Sequence, residues 1–230
     1  MNINHAEDEV VKGDKLLAIF TRQIELMNKY HDIELKSGLM QTQQFPLNLH
    51  DKFSQARIKD FCWRIMEEVG EALDAYEQPP VNPQGEQDIT HFIEELIDGL
   101  HFLTELTISL GKTQEDVWVG HTEGCFNSDF DYLEFMVDSS VSKLKRMPVN
   151  GVEMLVTNLV KNLGMMANCL KNKPWKQSQM RTDEVEFFNK LSLVWGSYIR
   201  LLSKFLTADE IVNIYLKKSQ VNKFRQRSQY

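Results

Sequence analysis

Two short acidic pairs, Glu68-x-x-Glu71 and Glu95-x-x-Asp98, are the residues whose type and spacing speak most directly of chemistry. At helical pitch, residues three apart share a face, and like charges held so cost roughly a few tenths of a kcal/mol per pair unless a cation neutralises them. If the two helices pack together, four carboxylates meet across one seam. Mg²⁺ suits such a seam, because it is a hard cation that takes oxygen ligands and is shared between a few carboxylates and a substrate's phosphates. A solvated helix face is the plain alternative for any one such pair. The surroundings favour the metal. Ile65, Met66, Val69, Ala72 and Leu73 interleave with Glu68, Glu71 and Asp74, and Leu96, Leu100 and Leu103 interleave with Glu95, Asp98 and His101. The carboxylates thus flank the faces best suited to burial, where a charge without a partner is costly.

A third cluster lies near the C-terminus. Lys218, Asn222 and Arg225 follow one another at four- and three-residue steps, so one helical face presents an ammonium, an amide and a guanidinium. These donors suit a polyphosphate. The competing explanation is that cations gather at a helix C-terminus because the dipole favours them there.

The elements that must position these groups read as helices throughout. Nearly every long segment has apolar residues at three- and four-residue spacing, and alternating Val/Ile/Thr strands with Asn-Gly turns are missing, so an all-α helical bundle is predicted. The first helix follows Asp14 and runs to about Tyr30, with Leu16, Phe20, Ile24 and Met27 as an apolar stripe widened by Leu17, Ile19 and Leu26. After a loop with Gly38 and Pro46, the second spans about Lys52 to Glu77, closed by Pro79-Pro80, because proline cannot continue a helix. It carries the first acidic pair. Gln78 to Gln87 is a loop by composition, and the third helix, about Ile89 to Leu110, stops at Gly111 and carries the second pair. Thr113 and Asp116 resemble a capping box opening a short helix, and Gly120 to Ser128 is a candidate hinge. Three further helices are expected at about 129–146, 151–171 and 183–206, separated by Pro148-Val149-Asn150 and Lys173-Pro174-Trp175. Thr207 to Glu210 forms a capping box for a last helix reaching about Arg225.

Bulk properties narrow the class. The chain has 230 residues, enough for a well-buried core, and its net charge of −7 argues against nucleic-acid binding driven by overall charge. Cys62, Cys125 and Cys169 are odd in number and lack a C-x-x-C pairing, which argues against a disulfide framework or structural zinc and for a reducing compartment. The N-terminal MNINHAEDEVVKGDK is polar and acidic, and no apolar run approaches membrane-spanning length. A cytoplasmic location, that of the host if the chain is phage-encoded, and neither a nucleic-acid nor a membrane partner are expected.

Together the three clusters resemble the all-α nucleoside triphosphate pyrophosphatases, most closely the dimeric dUTPase branch and its phage dCTP/dUTP pyrophosphatase relatives. The family's E-x-x-E helix is matched by Glu68-Val-Gly-Glu71, and its E-x-x-D helix with following His-Phe by Glu95-Leu-Ile-Asp98-Gly-Leu-His101-Phe102. Its closing pattern is matched by Tyr215, Lys218, Asn222, Phe224, Arg225 and Tyr230, while Ser219, Val221, Ser228 and Gln229 depart from it. Gln23 looks like the glutamine of the family's first motif.

The resemblance implies one domain, with a core at about 14–118 and 207–230 and a helical insertion at about 122–206. It also implies a homodimer. Glu68, Glu71, Glu95 and Asp98 would hold Mg²⁺, with Glu68 as the catalytic carboxylate that orients or deprotonates the attacking water. Lys218, Asn222, Arg225 and Tyr230 would bind the phosphates. Gln23, Trp63 and Phe102 would meet the base, although core packing is the competing reading for Trp63 and Phe102, and His101 is either a partner of Asp98 or a satisfied buried histidine. The substrate implied is a deoxynucleoside triphosphate, dUTP first and dCTP next, cleaved to the monophosphate and pyrophosphate. Gln78 to Gln87 lacks the tryptophan and lysine run common in dimeric dUTPases, which leaves a MazG-like enzyme of other base specificity as the alternative.

Other classes fit less of the chain. His31-Asp32 and His50-Asp51 are the dipeptides of helical HD-type phosphohydrolases, without a convincing set of further ligands. A di-iron bundle needs Glu-x-x-His on two helices, whereas only Asp88-x-x-His91 and Asp98-x-x-His101 occur. A non-enzymatic helical interaction module would leave the acidic pairs merely solvated.

Overall fold

A computed structural model describes residues 6–37, 45–77, 89–117, 130–144, 151–173 and 175–227, with side chains described to Lys29 on the first helix and to Arg225 on the last. Among these residues the fold is all-α: α1 Lys15–Ser37, α2 Lys52–Tyr76, α3 Thr90–Ser109, a 3-10 turn Gln114–Val117, α4 Tyr132–Leu144, α5 Val152–Cys169, α6 Glu184–Leu202 and α7 Ala208–Arg227. The Gln78 to Gln87 loop, the Gly120 to Ser128 hinge, the Pro148-Val149-Asn150 break, Cys125, Pro174 and Tyr230 lie outside the described residues.

Local chemistry sets the helix starts. The Asp51 side chain accepts from the Ser54 amide at 2.7 Å and opens α2, and Asp183 accepts from the Glu186 amide at 3.0 Å and opens α6. At α7 the capping box closes in both directions, with the Thr207 amide donating to Glu210 at 2.8 Å and the Glu210 amide to the Thr207 hydroxyl at 3.3 Å. These contacts satisfy amides that have no partner within the helix. Past the end of α3, Gly111 takes φ of +73°, the left-handed conformation that glycine adopts without cost.

The α2–α3 pair frames the site. Tyr76 meets Phe92 with ring centroids 5.0 Å apart, and further along Glu68 faces Gly99, so the two helices run antiparallel. Behind them α6 crosses α3. Trp195 donates to the Thr107 hydroxyl at 2.9 Å and Tyr198 to the Leu96 carbonyl at 2.7 Å, while Phe205 packs on Phe92 at 5.1 Å. One continuous core runs through all seven helices.

One finding corrects the sequence reading. On α1 the buried face is Leu16, Ile19, Phe20, Gln23 and Leu26, while Leu17 and Ile24 are 47% and 45% exposed, and the helix continues to Ser37. Gln23 is tolerated inside because α3 and α7 satisfy its amide, which turns Ile24 outward. In the Leu191-to-Leu202 stretch, Leu191, Val194, Trp195, Tyr198, Ile199, Leu201 and Leu202 are buried within this chain, as is Met166. Met154, Met165 and Leu193 remain exposed on α5 and α6.

Two further attachments position the elements. The segment before α1 lies along α7: the Gln220 side chain accepts from the Glu7 amide and donates to Glu9, Lys217 pairs with Asp8 at 2.6 Å, and Arg22 grips Glu9 at 2.7 Å. The stretch after α5 is pinned to the start of α2, where Gln55 donates to Leu49 and Thr182 and accepts from the Asn172 amide at 2.8 Å. The Asn172 side chain in turn donates to the carbonyls of His50 and Met180. His50 itself accepts from the Thr182 amide through Nδ1 and meets Glu184 through Nε2, and Asp51 is a helix cap. That His-Asp pair is thereby committed to structural contacts. His31 and Asp32 have side chains outside those described.

Candidate active site

The antiparallel crossing of α2 and α3 brings the first three carboxylates together. Glu68, Glu71 and Glu95 each place one oxygen within 4.8 Å of the others, with Glu95 buried, Glu68 half-buried and Glu71 exposed. His91, one turn before Glu95, has its Nδ1 3.1 Å from the Glu95 carboxylate. An all-oxygen set of this kind suits a hard divalent cation rather than a soft one.

Asp98 is placed differently. One of its oxygens lies 2.8 Å from the ammonium of Lys218 on α7, which is also 3.6 Å from Glu94. Glu94 and Asp98 stand four residues apart on α3, so both reach the same stretch of α7. Of the other cationic-face residues, Asn222 is partly buried and Arg225 exposed, and the positive charge of Arg225 acts on Asp98.

The electrostatics report the crowding. The Glu68 carboxyl is pushed up to about 8, first by burial, then by the Asp98 charge, and by its hydrogen bond and proximity to Glu95. Burial raises Asp98 as well, against the opposing pull of Lys218. Lys218 would lose its proton more readily through burial, but Asp98 outweighs this, with help from Glu94 and Glu95, and holds it above the ordinary lysine value. The crowding that raises Glu68 and Asp98 is the condition a divalent cation relieves. The residues present fit the group the sequence suggested.

A buried polar cluster stands beside the seam. Gln23 on α1 accepts at Oε1 from the Tyr215 hydroxyl at 2.7 Å and faces His101 Nδ1 at 2.8 Å, and its amide nitrogen donates to Glu105 at 3.3 Å. The acceptor role of Oε1 assigns the imidazole proton to Nδ1. His101 stacks on Tyr215 with ring centroids 3.8 Å apart, and burial pushes its pKa down to about 3, so the ring is neutral. Its Nε2 is buried without a hydrogen-bond partner among the described residues.

Trp63 is 59% exposed on α2 and donates from its indole to Glu67 at 2.6 Å, so core packing does not describe it. Phe102 is partly buried, with the Arg64 guanidinium 5.6 Å from its ring centroid. Sequence reasoning missed Glu94 and Glu105, and weighed His91 only as part of an iron-binding pattern. For Glu94 and His91 the available signal was their position one residue before, and one turn before, Glu95. Glu105 offered none, since its role depends on α1 lying against α3.

An all-helical bundle that gathers carboxylates opposite a cationic helix defines a class of site suited to polyphosphates. A family model described as dUTPase matches residues 15–230, and the chain belongs to the dUTPase family. That membership makes it a nucleoside triphosphate pyrophosphatase by class. Comparisons with curated proteins and with solved structures gave no match.

Proposed function

We propose that the chain is a Mg²⁺-dependent pyrophosphatase of the dimeric dUTPase branch, converting dUTP, and secondarily dCTP, to the monophosphate and pyrophosphate. The observation that carries this reading is the convergence of Glu68, Glu71 and Glu95 within 4.8 Å, beside Asp98 and Lys218, in a chain of this family. Glu68, Glu71, Glu95 and Asp98 are the residues that would hold the metal. When bound, Mg²⁺ supplies Lewis acidity toward phosphate oxygens and lowers the pKa of a coordinated water.

The chain's own groups do the rest. Glu68 is the carboxyl assigned to the attacking water: crowding by its neighbours keeps it protonated at neutral pH in the metal-free fold, and it would become an ionised general base once a divalent cation offsets those neighbouring charges. Lys218, Asn222 and Arg225, with Tyr230, present donors to the triphosphate and stabilise the charge that builds on the leaving pyrophosphate. Gln23, Trp63 and Phe102 are assigned to the base. Trp63 is supported by its exposure, which leaves its indole face free to stack. Gln23 meets the base only by exchanging its contact with Tyr215 or His101.

The helices between the acidic seam and α7 are read as an insertion into the family core. The exposed Met154, Met165 and Leu193 are the surface assigned to a second subunit, in a cytoplasmic homodimer. Light scattering on the purified protein reads the subunit number.

The deciding experiment measures pyrophosphate release from dUTP, dCTP, dTTP, dATP and dGTP with Mg²⁺, on the wild type and on Glu68→Gln. Turnover of dUTP by the wild type and its loss in the variant are expected. A wild type that hydrolyses none of the five refutes the hydrolase reading, and a fully active Glu68→Gln refutes the site assignment.

A further inference from the structure

We propose that Lys218 is an internal counter-ion that holds Asp98 until a triphosphate arrives, with Glu94 as its second seat, so that one ammonium couples metal binding to nucleotide binding. This rests on the metal-site reading above. Three carboxylates converge, whereas the fourth, Asp98, gives an oxygen to Lys218 at 2.8 Å. Lys218 is not a surface lysine sampling many partners. Its side chain is 9% exposed and is held between Asp98 and Glu94, which are 24% and 26% exposed.

A divalent cation drawn to this seam meets an ammonium already neutralising one of its ligands. The two positive charges repel, and the metal must either forgo Asp98 or displace Lys218 toward Glu94. A triphosphate changes the balance by offering Lys218 anionic oxygens of higher charge density, which frees Asp98 for the metal. Bare metal binding is therefore penalised, and metal binding together with nucleotide is not. By thermodynamic reciprocity the metal tightens nucleotide binding by the same factor. Glu94 is a positioning residue in this scheme. It acts through Lys218, keeping the displaced ammonium paired while Asp98 changes partner.

Calorimetric titration of the full chain with Mn²⁺, alone and with the non-hydrolysable α,β-imido analogue of dUTP, tests the proposal. Lys218→Met should bind Mn²⁺ alone roughly fivefold or more tightly than the wild type, and bind Mn²⁺ plus analogue more weakly. Wild-type protein that takes up no Mn²⁺ with or without analogue refutes the underlying metal site. Wild type that binds it, with Lys218→Met binding bare Mn²⁺ no more tightly, refutes the counter-ion alone. Should circular dichroism show Lys218→Met misfolded, Lys218→Gln carries the same two readings. Glu94→Gln should weaken bare Mn²⁺ binding in the wild-type background and not in Lys218→Met. Equal weakening in both backgrounds overturns the role of Glu94.

Discussion

Tyr198 on α6 donates its hydroxyl to the Leu96 carbonyl on α3 at 2.7 Å, and that hydroxyl lies where a β-carbon on Gly99 would sit. The same β-carbon would stand 3.3 Å from the Cβ of Glu68. Glycine beside Asp98 is thus what lets α2, α3 and α6 converge behind the carboxylates. Gly99→Ala should displace Tyr198 or Glu68, and overpacking of this kind costs about 1–3 kcal/mol. Tyr198→Phe removes only one hydrogen bond, worth about 1 kcal/mol. Thermal unfolding and dUTP turnover of the two variants should rank Gly99→Ala as the more damaged in both.

Glu68 keeps its proton in the metal-free fold up to about pH 8, whereas an unfolded glutamic acid releases it near 4.5. Between those values the folded state binds more protons, so stability falls as pH rises through the window. Mg²⁺ requires ionised carboxylates, so the stabilisation it adds should be larger near pH 8 than near pH 6. Scanning calorimetry with chelator and with Mg²⁺ at both pH values checks the sign. A metal-induced shift in Tm that is greater near pH 6 contradicts it.

His101 provides the opposite slope. Its folded pKa of about 3 lies below the ordinary 6.5, so its contribution is complete above 6.5 and is lost as pH falls toward 3. Nitrogen NMR at about pH 5 should find the ring neutral and protonated at Nδ1, where a solvated histidine would be charged.

Gln23→Leu should strand the His101 N–H in the interior, at a cost of about 1–3 kcal/mol, and leave the Tyr215 hydroxyl with Thr104. Chemical denaturation reads the loss, and Gln23→Glu should fail to restore it, because a carboxylate beside Glu105 is repelled.

Asn172→Ala removes a side chain that bonds His50 and Met180 and is buried against Gln55, far along α2 from Glu68. Stability should fall by about 2 kcal/mol or more, while KM and kcat for dUTP at a temperature where the variant is folded stay near wild type. A selective rise in KM would show that the pinned stretch reaches the substrate.

The helices were legible because their signals are local. Apolar spacing and the caps at Asp51, Asp183 and Thr207–Glu210 act within a turn or two, and the acidic pairs follow from a three-residue period on one helix. What could not be read depends on how helices dock. Glu94 acquires meaning only once α7 brings Lys218 to it, and Gln23 looks like an interruption of an apolar stripe until α3 and α7 supply Tyr215, His101 and Glu105. Trp63 faces outward because Ile58, Phe61, Cys62, Ile65 and Val69 occupy the buried face of α2, and Glu67, one turn on, takes its N–H.

The clasp between Glu7–Glu9 and α7 joins stretches that lie far apart along the chain, with Glu7 and Gln220 separated by 213 residues. Helices α2 and α3 are neighbours in the chain and can meet early, whereas α7 emerges after every other described helix and must close a long loop to dock. A nascent chain therefore carries its carboxylate seam before it owns the ammonium that quiets it.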